Sequence, residues 1–256
     1  MGFLIAFVLF FSFSYGETLR IAAAANVQYP LREIVSYFKK KYPDIKVVTV
    51  VSSSGKLTAQ IERGAPYHIF MSANMKYPEY LYERGLTTGK PQVYAVGILV
   101  LWSMKNLPLK KEGIKVLLEN YIKKISVPNP KNAPYGEEAI RAMKYFGIYR
   151  KVKNKLVYGE SVSQSTQYIY KRLVDVGFTS KSVVLSPQMK GRGVWIEISQ
   201  NAYRPIKQGV VILKNGNGVD VAREFVRFLF SSEAKRILKK YGYKVGQLPL
   251  SKDRGL

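Results

Sequence analysis

Short runs of β-branched and small apolar residues alternate along this chain with stretches of helical period, and that alternation most constrains its fold. Repeated strand–helix units bury a sheet between helices, the α/β layer solution. LRIAAAA at 19–25 reads as a strand ending in small residues. Leu31, Ile34, Val35 and Phe38 then share one face of a helix over about 29–41, with Pro30 in the tolerant first turn. IKVVTVV at 45–51 is apolar nearly throughout, the pattern of a strand buried on both faces. Ser52-Ser53-Ser54-Gly55 opens a second helix ended by Gly64, and YHIFMSA at 67–73 is a third strand. A longer strand, Tyr94 to Trp102, is expected to leave this first unit, and IKQGVVILK at 206–214 to return to it. Between them a Lys-rich stretch ends in a helix on Ile114, Leu117, Leu118 and Tyr121. Strands follow at 123–130, KLVYGES and 175–180, with helices starting at Gly136 and Val162. Helices over about 219–230 and 232–241 end the chain.

Composition removes much chemistry. The chain has 256 residues, no cysteine and one histidine, so disulfides, thiolate metal sites and multi-histidine metal clusters cannot be built. Lys and Arg number 41 against 17 Asp and Glu, a formal charge of +24. Such a charge attracts nucleic acid, an acidic membrane surface or a small anion. The basic residues occur as separate short groups, such as Lys39-Lys40-Lys41 and Lys239-Lys240, with no nucleic-acid-binding motif beside them. No nucleic-acid partner is therefore expected. Residues 1–16, MGFLIAFVLFFSFSYG, are uncharged, too short an apolar run to span a bilayer comfortably, and end in small residues. They read as a cleaved secretory signal, with no cysteine behind it to carry a lipid, which places the mature chain in the periplasm.

Four strand ends run directly into polar or small residues that open a helix: Ala25-Asn26, Ser52-Ser53-Ser54-Gly55, Ala133-Pro134-Tyr135-Gly136 and Glu160-Ser161-Val162-Ser163. A helix N-terminus leaves backbone N–H groups unpaired and carries about half a positive charge, so anions bind there without a dedicated cation. In open α/β sheets these turns lie at the carboxyl ends of the strands, where ligands bind. One such turn is ordinary N-capping; four on two units point to an anion cleft.

The same segments carry a family resemblance. LRIAAAAN, VSSSGKLTAQIERGAP, IFMSANMKYPEYLYERGL, VPNPKNAPYGEEAIRAM, SVSQSTQYIYKRLVDVGFTS and FVRFLFSSEAKRILKKYGY resemble, in the same order, the molybdate-binding proteins of bacterial ABC importers. The resemblance implies a two-lobed, type II periplasmic binding protein fold, each lobe a mostly parallel sheet flanked by helices and the two joined by hinge strands. The expected lobes are 17–95 with 207–256, and 96–206. It implies capture of molybdate or tungstate, with no cofactor and no catalysis. Any molybdenum or tungsten would be held only as the oxyanion. The expected partners are a membrane ABC permease and its cytoplasmic ATPase, with the protein itself a monomer. Carried over by position, the oxyanion ligands are Asn26 and Ser54, through side chain and backbone N–H, and the backbone N–H groups of Tyr135 and Val162. Ser53 and Ser180 are further candidates. Family aspartates are replaced by His68 and Asn74, which implies a less acidic cleft rim.

Two other functions fit parts of the sequence. One is a sulfate- or phosphate-specific binding protein. The other is a serine acyl-enzyme, since Ser53-Ser54-Gly55-Lys56 matches S-x-x-K, although no SDN or KTG companion is present. Hydroxymethylbilane synthase shares the two-lobed architecture but needs a cysteine for its cofactor. A phosphate loop fails because Val50 stands where glycine is needed and Leu57 replaces Ser or Thr. His68, flanked by Tyr67 and Ile69, reads as structural, Glu137-Glu138 as first-turn dipole partners, and Trp102 and Trp195 as packing residues.

Overall fold

The structure, a computed structural model, describes residues 17–214 and 218–246. The expected signal at 1–16 lies outside the described residues. Two five-stranded sheets, each flanked by helices, form two lobes. The first contains β1 (Thr18–Ala24), β2 (Lys46–Ser52), β3 (Ile69–Ser72), β4 (Gln92–Gly97) and β10 (Ile206–Ile212), in the order β2-β1-β3-β10-β4. The second contains β5 (Leu99–Ser103), β6 (Ile125–Pro128), β7 (Leu156–Gly159), β8 (Val176–Ser180) and β9 (Val194–Glu197), in the order β7-β6-β8-β5-β9. The outer pairs β1–β2 and β6–β7 are parallel. The strand that enters each sheet from the other lobe, β10 in one and β5 in the other, is antiparallel to both neighbours.

The helices are α1 (Gln28–Lys41), α2 (Ser54–Glu62), α3 (Lys76–Glu83), α4 (Leu109–Glu112), α5 (Pro134–Tyr145), α6 (Tyr149–Val152), α7 (Val162–Tyr170), α8 (Lys181–Val184), α9 (Val219–Leu229) and α10 (Ser232–Lys240). Five long helices of the reading are present within a few residues of their expected limits. The Ile114–Tyr121 region forms a 3-10 turn, Gly113–Leu118, instead of an α-helix.

Amphipathic faces explain the layering. Leu31, Ile34 and Phe38 of α1 are buried, as are Val221, Ala222, Phe225, Val226 and Leu229 of α9. Phe38 and Phe225 meet edge to face, centroids 5.1 Å apart, a contact worth about 0.5–1.5 kcal/mol beyond area burial. It pins the C-terminal helices to the start of the chain. Trp102 is fully buried, donates Nε1–H to the Arg192 carbonyl at 2.9 Å and lies opposite Trp195 in the β5–β9 pair.

Two expectations change. β2 is an edge strand paired only with β1, and its residues are half-buried or exposed, so its apolar run covers one neighbour instead of filling a central position. The single strand expected over 94–102 is two: β4 ends at Gly97 and β5 begins at Leu99 in the other sheet. Ile98 is the crossing point, and the return passes from β9 to β10. Ile206 pairs with Gly97, so the two crossings run side by side. A third segment joins them, because Val96 and Lys244 exchange N–H···O bonds of 2.8 and 2.9 Å.

Candidate functional site

The helix openings singled out in the sequence gather where the lobes meet. α2 starts at Ser54 after β2, α5 at Pro134 after β6, and α7 at Val162 after β7. The short turn Ala25–Val27 follows β1 and lies against α7. Across the cleft, the Gly55 N–H donates to the Asn132 carbonyl at 2.9 Å. Lys56 Nζ lies 2.5 Å from Glu160 Oε2, and the Tyr77 hydroxyl is 3.5 Å from the Lys131 carbonyl. These contacts place the start of α2 against the residues that lead into α5 and α7. The lobes are closed.

Each opening presents donors. The N–H of Leu57 pairs with Ser53 O, that of Glu137 with Ala133 O and that of Ser165 with Ser161 O. The earlier N–H groups of Ser54, Tyr135 and Val162 have no carbonyl one turn behind them within their helices. Ser54 is fully buried, and its Oγ accepts from the Ala73 N–H at 3.0 Å. Having accepted there, it keeps its own O–H to donate. Among the described residues, Ser53 Oγ and Ser163 Oγ are buried with no protein partner. A buried hydroxyl without a partner costs about 1–3 kcal/mol, which an acceptor in the cleft would recover.

The structure thus brings the starts of the helices bearing Ser54, Tyr135 and Val162 to one seam, with Ser53 beside Ser54. Asn26 and Ser180 have other work. Asn26 Nδ2 donates to Gln208 Oε1 at 2.7 Å and to the Tyr243 hydroxyl at 2.8 Å. Both amide protons are therefore taken, and the side-chain donation expected of Asn26 is replaced by bracing at the hinge. Its carbonyl accepts from Ser182 Oγ at 2.6 Å and from Tyr243 at 2.9 Å. Ser180 Oγ lies 2.8 Å from Ser182 Oγ and belongs to the same chain of hydroxyls.

Gln208, Ser182 and Tyr243 were not foreseen. Gln208 did carry a signal, as the amide inside the apolar run IKQGVVILK; its Nε2 donates to the Ala73 and Ile206 carbonyls at 3.2 and 2.8 Å. Tyr243 joins first-lobe and second-lobe atoms, and burial pushes its hydroxyl pKa up to about 12. The Tyr135 ring is fully buried with its hydroxyl against Gly97, and burial raises that hydroxyl's pKa well above the ordinary tyrosine value. The ring that anchors α5 thereby touches the crossing strand.

His68 sits at the opposite end of β3 from these helix openings. Its Nδ1 accepts from the Arg20 N–H at 3.0 Å, and burial, reinforced by the Arg20 charge, lowers its pKa. Its presence in place of an acid does not alter the cleft rim. Lys56, the base of an acyl-enzyme reading, is paired with Glu160 and makes no hydrogen bond to Ser53. Glu138 is buried and accepts from the Arg204 N–H at 2.8 Å and Arg141 Nε at 3.1 Å, while the more exposed Glu137 lies 3.7 Å from Arg141 NH2. Among the described residues no three His, Cys, Asp or Glu side chains group to hold a metal ion, and no helix is long and apolar enough to cross a membrane. A surface cavity of about 720 Å³, lined by residues including Arg141, Tyr149, Tyr158 and Arg204, lies outside the cleft.

Two α/β lobes linked by crossing strands, closed on helix N-termini from both sides, define a solute-binding protein. The chain belongs to the bacterial extracellular solute-binding protein family, whose model matches residues 19–244. It is 36% identical over 227 residues to the molybdate-binding protein ModA of Azotobacter vinelandii, covering 88% of this chain and 89% of the relative. It is likewise 36% identical over 229 residues to ModA of Rhodobacter capsulatus, covering 89% and 88%. Among solved structures, the periplasmic molybdate-binding protein of Azotobacter vinelandii superposes with a TM-score of 0.85 at 32% identity, covering 90% of this chain and all of that one.

Proposed function

We propose that this chain is the periplasmic solute-binding component of an ABC importer and that it captures molybdate or tungstate between its lobes. The observation that carries this reading is the meeting of helix starts from both lobes, together with buried hydroxyls that have no acceptor in the protein. The sequence similarity to molybdate-binding relatives over most of the chain supports the same ligand class. The proposed ligands are the backbone N–H groups of Ser54, Tyr135 and Val162, the Ser54 and Ser53 hydroxyls, and the Asn26 turn through its backbone.

Molybdate and tungstate are dianions at neutral pH with no proton to donate. Uncharged N–H and O–H donors suit them and leave the proton of a hydrogen phosphate without an acceptor. Sulfate lacks that proton too, so it is discriminated by size. Lobe 1 (17–95 and 207–256) and lobe 2 (96–206) would move about the crossings near Gly97 and Ile206 and close on the anion. The mechanism is capture followed by delivery to a membrane permease driven by an ATPase. A secretory signal at 1–16 would place the protein in the periplasm.

Calorimetric titration of the purified chain tests the reading. Molybdate and tungstate are expected to bind at sub-micromolar concentration while sulfate and phosphate bind far more weakly. Tight sulfate or phosphate binding would replace the proposed ligand, and no heat with any oxyanion would refute the function.

A further inference from the structure

At the mouth of the cleft, α2 meets the second lobe through a residue that has no side chain. Gly55 is the second residue of α2, and its φ is outside the left-handed region, so the helix itself does not require glycine. Alanine is the better helix former at such a position. Yet a Cβ added at Gly55 would lie 2.8 Å from Asn132 Cβ, 3.0 Å from Asn132 Cα and 2.9 Å from the Tyr77 hydroxyl. Asn132 belongs to the opposite lobe, and it accepts the Gly55 N–H through its carbonyl at 2.9 Å. The next residue, Lys56, reaches Glu160 across the same seam. The demand for glycine at 55 therefore arises only when the lobes come together.

We infer that Gly55 and Asn132 form the stop that fixes how closely the lobes approach, and that this stop selects the size of the oxyanion. The inference rests on the oxyanion reading proposed above. An anion in the cleft is held by donors from both lobes, so their separation is set where the lobes first touch. Packed protein is stiff, and a backbone-to-Cβ contact yields little. With the lobes halted there, a smaller tetrahedral anion finds its donors beyond good hydrogen-bond distance on one side. All tetrahedral dianions offer the same acceptors, so the hydrogen-bond pattern cannot rank molybdate over sulfate. A fixed lobe spacing can.

The test is Gly55→Ala in the full chain, titrated calorimetrically with molybdate, with sulfate measured by displacement, and followed by small-angle scattering. The ligand-free variant is expected to melt at or above the parent temperature, because α2 gains a better helix former. Molybdate affinity is expected to fall about tenfold or more, sulfate affinity to fall further, and the contraction on adding molybdate to shrink. Adding Asn132→Gly and Tyr77→Phe, which remove the opposing atoms, is expected to restore affinity. Parent-like affinity and contraction in Gly55→Ala would overturn the stop, as would an equal loss for both anions without rescue. A parent chain that binds neither anion would instead overturn the oxyanion reading, and this inference with it.

Discussion

Gly136→Ala is expected to destabilise the protein by about 3 kcal/mol, the upper part of the range for overpacking a tight site. A Cβ at this position would lie 1.8 Å from the carbonyl oxygen and 2.6 Å from the carbonyl carbon of Pro128. Neither atom belongs to a flexible side chain. Pro128 ends β6, and Gly136 stands in the first turn of α5, so the glycine lets the helix start directly over the strand end. Alanine must push the two apart, and the displaced atoms include the N–H of Tyr135, the neighbouring residue. Urea unfolding should show a lower midpoint with an unchanged slope, and the folded fraction should bind oxyanion more weakly. Gly89→Ala supplies the control, because nothing lies within 4 Å of a Cβ added there. If Gly136→Ala were as stable as Gly89→Ala, the close approach of α5 to β6 would be wrong.

The second large effect is expected at Ser54. Ser54→Ala removes the hydroxyl proposed to donate to the anion and leaves the buried Ala73 N–H without its acceptor. Losing a hydrogen bond to a charged group costs about 1.5–3 kcal/mol, so affinity should fall roughly 10- to 150-fold. The orphaned N–H also predicts a lower melting temperature without ligand. Thr58 Oγ1, which donates to the Ser54 carbonyl at 2.8 Å, keeps its bond because the backbone is unchanged. Calorimetry separates the effects: a variant that melts lower but binds as tightly as the parent would remove Ser54 from the site and leave it a structural role.

Much of the architecture was legible because strands and helices differ in period. Leu31, Ile34 and Phe38 marked α1, and the small residues of LRIAAAA marked a central strand packed closely on both faces. The openings of α2, α5 and α7 were readable for a related reason, since a helix start needs residues that tolerate unpaired N–H groups. Less was readable where tertiary position decides. IKVVTVV has the same letters whether it lies at a sheet edge or in the middle, and pairing on one side only is a property of the assembled sheet. The break at Ile98 was hidden because YAVGILVLW stays apolar through the crossing, although Gly97 within it marked the place where the Tyr135 hydroxyl approaches. Asn26 shows the limit of reading a site from sequence. Its type and place suit an anion ligand, yet Gln208 and Tyr243, distant along the chain, take its amide protons.

The central claim is that an oxyanion sits between the helix starts of both lobes. Diffraction from crystals grown with molybdate, with molybdenum located by anomalous scattering, tests it most directly. The account predicts one strong peak at the seam, with anion oxygens within hydrogen-bond distance of the Ser54, Tyr135 and Val162 amide nitrogens. A peak in the surface cavity beside Tyr149 and Arg204, or no peak in crystals of the folded protein, would contradict it.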